Sequence, residues 1–98
     1  MRMNSYIVVE ASAPPSVFDD VAKASIETKT EYPAYVKKVL DIGSNYVNLA
    51  VYKVDDGKLA EALKAVGARY HKIAARVDGY SFDVTPMLDI AEWAVLKK

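Results

Sequence analysis

Glu10, Asn48, Tyr6 and Tyr52 are the residues of this 98-residue chain whose types and spacing could do chemistry together. Alternation along two neighbouring antiparallel strands puts Glu10 and Asn48 on one sheet face, with Tyr6 towards the Tyr52 end. A carboxylate flanked by phenols in a half-closed cavity has its pKa raised and can act as a general base. The plainer reading is that Glu10 pairs with Lys37, or with a lysine of a second copy. Structural carboxylates outnumber catalytic ones, so that reading is preferred. His71 is the single histidine. It follows Tyr70 at the flank of a helical apolar stripe, where it serves either as a half-buried helix residue or as a proton shuttle at a cavity mouth. One histidine with no cysteine makes a poor metal site, so no metal and no cofactor is expected. Trp93 reads as a packing anchor, and Asp55, Asp56 and Asp78 as cap and turn residues.

The elements that position these groups are legible from period. Tyr46-Val47-Asn48-Leu49-Ala50-Val51-Tyr52-Lys53-Val54 is β-branched and aromatic, and its side chains sort at period two. Val47, Leu49 and Val51 form one face; Tyr46, Asn48, Ala50 and Tyr52 form the other. Before it, Asn4 to Ala11 and Ala34 to Ile42 read as strands, with Ile7, Val9 and Ala11 sharing a face and Val36, Leu40 and Ile42 sharing another. Gly43-Ser44-Asn45 is hairpin chemistry. A helix is expected from Val17 to about Lys29, capped by Ser16, with Phe18, Val21, Ala22, Ser25 and Ile26 inward. A second runs from Gly57 or Lys58 to Arg76, capped by Asp55 or Asp56. There Leu59, Leu63, Val66, Tyr70, Ile73 and Val77 recur at helical steps. Gly67 interrupts this helix, and a close approach to the sheet would compensate it. Asp78-Gly79 ends it, with Gly79 free to take positive φ. Tyr80 to Thr85 is a fourth strand closed by Pro86, and Ile90 to Lys97 a short last helix capped by Asp89.

Composition bounds the rest. A 52 % apolar fraction supports one folded domain over residues 1–98. Thirteen basic residues balance thirteen acidic ones, with no basic stripe of the kind a nucleic-acid binder carries. Zero cysteines exclude disulfides and thiol chemistry. The run Tyr6-Ile7-Val8-Val9 is too short for an export signal, and nothing approaches the roughly 20 apolar residues of a membrane span. A cytoplasmic domain without membrane or nucleic-acid partners is expected.

The order β-α-β-β-α-β plus a terminal helix, as two split crossovers joined by the hairpin, gives an antiparallel sheet in the order 4-1-3-2 with both helices on one face. On element order, lengths and the amphipathic second helix, the chain resembles the ferredoxin-like α+β fold, and within it the dimeric α+β barrel superfamily. With the helices over Ile7, Val9, Val36, Leu40, Val47, Leu49, Val51, Phe82 and Val84, the opposite face carries Tyr6, Glu10, Tyr35, Lys37, Tyr46, Asn48 and Tyr52. Covering several such rings is worth several kcal/mol at roughly 25 cal/mol per Å². The resemblance implies that a second copy does so, making a homodimer. It also implies a small organic ligand near Tyr6, Glu10, Asn48, Tyr46 and Tyr52. The alternatives are a cofactor-free monooxygenase or isomerase acting on aromatic compounds, with Glu10 and His71 as candidate catalytic groups, and a ligand-sensing module similar to the effector domains of leucine-responsive regulators. A third class is a structural protein whose tyrosine face makes only the dimer.

Overall fold

The computed structural model describes residues 5–29, 31–44 and 47–88. Strand β1 spans Ser5–Ser12, helix α1 Phe18–Glu27, strands β2 and β3 Val36–Gly43 and Val47–Val54, helix α2 Leu59–Ala74, and strand β4 Ser81–Leu88. All pairings are antiparallel, in the order β2-β3-β1-β4. This is an α+β arrangement of a four-stranded antiparallel sheet and two helices that fits a ferredoxin-like fold, with the strand order expected from the sequence. The last helix expected after Asp89, with Trp93, falls outside the described residues, as does Tyr46.

The core lies between the sheet and the two helices. Ile7 and Val9 of β1, Ala50, Tyr52 and Val54 of β3, Val36 of β2, Ala24 of α1, and Ala62, Val66, Tyr70 and Ile73 of α2 form one buried cluster. Ile7, Val9 and Val66 are fully buried, each contributing about 1.5–3 kcal/mol relative to an exposed position.

Register overturns one part of the sequence reading. Ile7 lies opposite Tyr52, Val9 opposite Ala50, and Ala11 opposite Asn48. Directly paired residues share a face, so Tyr52, Ala50 and Asn48 turn towards the helices. Val47, Leu49 and Val51 therefore point the other way. Both faces of β3 are apolar enough to be buried, and hydrophobicity alone cannot choose between them. The large Tyr52 ring goes inward because its hydroxyl finds partners there. In β2 the pairing skips between Lys38 and Leu40, a bulge at Val39. The extra residue reverses the alternation. Val36 stays inward, but Leu40 and Ile42 face outward, at 41 % and 54 % exposure.

The helices begin differently from the expectation. Ser16 makes no cap; Pro15–Val17 form a 3-10 turn in which the Val17 amide donates to the Pro14 carbonyl, and α1 follows without a side-chain cap. Asp55 and Asp56 make no side-chain cap for α2 either; the Lys58 amide donates to the Asp55 carbonyl instead. The inward stripe is Val21 and Ala24 on α1, extended by Val17 and Thr28 at its two caps, while Phe18 and Ile26 are exposed. Gly67 meets nothing within 4 Å of where a Cβ would stand, so no close approach to the sheet explains it. Gly79 does take positive φ, at 81°. Pro86 lies inside β4, opposite Ile7, because an edge strand tolerates a residue that lacks an amide hydrogen.

Candidate functional site

A cleft of about 270 Å³ opens between α1, α2 and the β2–β3 end of the sheet. Its apolar wall includes Phe18, Val21 and Ala22 of the first helix and Ile73 of the second; its polar lining includes Ser25, Asp41, Asn48, Arg69, Tyr70 and Tyr80. The bulge creates the polar floor. By shifting phase after Lys38 it brings Asp41 opposite Ala50 and Gly43 opposite Asn48, both on the helix side. Gly43 is required there: a Cβ would sit 2.8 Å from the Val47 carbonyl and 3.2 Å from the Asn48 side-chain nitrogen.

Three polar side chains on that floor are tied together. Asn48 Nδ2 donates to Asp41 Oδ1 at 2.9 Å and to the Ile42 carbonyl at 2.9 Å. Lys38 Nζ donates to Asp41 Oδ2 at 3.0 Å. Burial works to raise the Asp41 pKa, but the Asn48 and Lys38 hydrogen bonds outweigh it, and Arg69 adds to them, so the carboxyl is held below its usual range. Asp41 is thus an anion whose two oxygens are already engaged, and a weak base at neutral pH.

Behind the floor runs a chain of phenols. The Tyr52 hydroxyl lies 2.9 Å from that of Tyr70 and 3.3 Å from that of Tyr32, and the Tyr32 and Tyr52 rings meet edge to face with centroids 5.2 Å apart. Burial first, then these hydrogen bonds, pushes the Tyr52 pKa far upward, so it stays a neutral phenol. Arg69 lies beside this chain, its guanidinium carbon 5.8 Å from the Tyr70 ring centroid. Its Nη2 donates to the Ser25 carbonyl at 3.3 Å, a long bond, while its Nε is buried with no acceptor. Burial opposes its charge, but the adjoining Tyr32 phenol and its neighbours outweigh that and keep it firmly protonated.

The residues singled out from sequence divide between two surfaces. Asn48 reaches the cleft, and Tyr52 lies buried behind it. Glu10 is exposed on the opposite sheet face, beside Leu49 and Asp83, and half-buried Tyr6 shares that face. The structure therefore does not bring Glu10 together with Asn48 or Tyr52. His71 is exposed on α2, edge-on to the Phe82 ring at 5.0 Å, away from the cleft lining. Tyr35 is half-buried and packs on the core, with Lys58 Nζ 5.7 Å from its ring centroid.

Asp41, Arg69, Tyr32 and Tyr70 were not read as site residues from the sequence. One signal was present for Arg69. Positions 62, 66, 69 and 73 follow helical steps of four, three and four, and the other three are Ala, Val and Ile. A lone charge in an inward row marks a buried or cleft-lining cation. No signal short of the bulge itself marks Asp41. Among the described residues no group of three or more potential ligands is arranged to hold a metal ion, and no helix is long and apolar enough to cross a membrane.

The sequence matches no protein-family model and no curated protein.

Proposed function

We propose that this chain binds a small organic molecule in the cleft between the helices and the β2–β3 end of the sheet, and does so as a homodimer. The observation that carries the binding role is the convergence of Asp41, Asn48, Arg69 and Tyr70 on one concavity with an apolar wall. Few convergent polar groups in an apolar hollow are the ordinary form of a small-molecule site. Binding without turnover is favoured over the oxygenase or isomerase alternative. That chemistry asks for a base, and the carboxylate lining this cleft is ionised and doubly hydrogen-bonded. A titration of isotope-labelled protein with an aromatic fragment set tests the reading. Amide shifts should gather on Gly43, Asn48, Arg69 and Tyr70, and Ala22→Trp, which fills the cleft, should abolish them. Shifts gathered on Val8, Glu10 and Val51 instead would place the ligand on the other face and end the proposal.

The dimer rests on that other face, which is aliphatic rather than phenolic. Val8 and Val51 are paired at its centre, Leu40 lies beside Val51, and Leu49 and Ile42 are paired in the next row. On either side stand two like-charged cross-strand pairs: Lys37 opposite Lys53, and Glu10 opposite Asp83. Each pair is unfavourable within one chain. A two-fold axis along the diagonal of the face sets the lysine corner of one copy over the acidic corner of its partner, with the aliphatic rows packed between. Such packing relieves both repulsions and covers the exposed apolar area.

A further inference from the structure

The cleft also carries information about what enters it, given that it is a binding site. Asp41 lends it little free charge, because Lys38 neutralises one oxygen and Asn48 occupies the other. Arg69, though near enough to Asp41 to help hold it ionised, is the basic side chain among the described lining residues. It is half-buried beside Tyr70, shares a hydrogen bond with the Tyr32 hydroxyl, makes a long bond to the Ser25 carbonyl and keeps a buried Nε without an acceptor. A guanidinium has five donors in a planar fork that matches a carboxylate. One such cation suits one negative charge, which disfavours a phosphate dianion. The walls supplied by Phe18, Val21 and Ile73 call for an apolar body. A volume of about 270 Å³ is at the small end for such sites and limits that body to about one ring.

We infer that the ligand is a compact organic monocarboxylate, its carboxylate held by Arg69 and its ring or branched chain lying against the α1 wall. The Tyr70 hydroxyl, which can accept from Tyr52, is placed to donate to that carboxylate, and Ser25, whose carbonyl already engages Arg69, fixes the angle of the fork.

The test compares acids with their neutral isosteres: benzoate and phenylacetate against benzamide and phenylacetamide, by amide-shift titration of the unmodified protein. Hydrogen bonds to a charged group are each worth about 1.5–3 kcal/mol, so each acid should bind roughly tenfold to hundredfold more tightly than its amide. Arg69→Gln should erase that gap, and Arg69→Lys, which keeps the charge but not the fork, should restore only part of it. Acids and amides binding alike in the cleft of the unmodified protein would overturn the assignment of the carboxylate while leaving cleft binding intact. Acids that shift only residues of the outer sheet face, with the cleft amides unmoved, would remove the assignment and the binding site together. The comparison on the unmodified protein needs no variant, so a poorly folded Arg69→Gln does not rescue the inference.

Discussion

The hydroxyls of Tyr52 and Tyr70 lie 2.9 Å apart in the interior between β3 and α2, and Tyr52 also reaches Tyr32 at 3.3 Å. Tyr52 is the middle member, so Tyr52→Phe deprives both other hydroxyls of a partner while keeping the ring. Leaving buried polar groups unmatched costs about 1–3 kcal/mol. Urea unfolding at neutral pH should show a loss in that range, and Tyr70→Phe, which removes an end of the chain, a smaller one. Equal effects from the two variants would contradict the central position of Tyr52.

The same phenols make stability sensitive to alkali. Tyr80 is pushed up to about 12 by burial, and Tyr52 and Tyr70 are also raised, burial being the larger cause in each. In the unfolded chain these groups ionise near the usual value of 10.0. Above that pH the unfolded state holds fewer protons than the folded one, so stability falls as pH rises. The contribution is fully present below pH 10, and for Tyr80 is lost between about 10 and 12. Urea midpoints should hold steady up to pH 9 in this respect and then drop progressively. Tyrosinate absorbance showing every phenol of the folded protein ionising together near pH 10 would refute the assignment.

Gly67→Ala should stabilise the protein. The position is inside α2, and an added methyl meets nothing within 4 Å. Alanine gains about 0.8–1.0 kcal/mol over glycine in a helix interior. Thermal unfolding should move upward; an unchanged or lower midpoint would mean that the glycine serves a contact made only in the assembled protein.

Sedimentation equilibrium should give twice the chain mass. Val51→Lys, at the centre of the aliphatic rows, should yield monomers without unfolding, because Val51 contributes nothing to the helix-side core. Lys53→Glu should weaken the dimer, and adding Glu10→Lys should recover part of the loss by restoring opposite charge across the axis. A double variant weaker than either single one would rule out the diagonal arrangement.

Element order, strand order and the amphipathic α2 were legible because they depend on turn chemistry and on periods that survive local irregularity. The orientation of β3 was not. Val47, Leu49 and Val51 look like core residues, and so does the pair Ala50 and Tyr52; only the register against Ile7 and Val9 separates them. Asn48 lines the cleft, whereas Glu10, expected on the same face, stands on the other. Glu10 was grouped with it by a parity argument that fails when β3 presents its other side. Arg69 shares a helical phase with Ala62, Val66 and Ile73, but a charged residue beside the larger apolar Tyr70 does not by itself mark a cleft.

Val39 illustrates how much one inserted residue can govern. Drawn into the ladder opposite Val51, it would let β2 alternate evenly, rotating Leu40 and Ile42 under the helices and sending Asp41 out to solvent. The hollow would lose its acid and fill with methyl groups, while the exterior would lose the greasy rows on which a twin could settle. The proposed recognition and the proposed self-association are thus linked through a single backbone irregularity, and a chain in which β2 runs without it, Val39 paired, should be deficient in both at once.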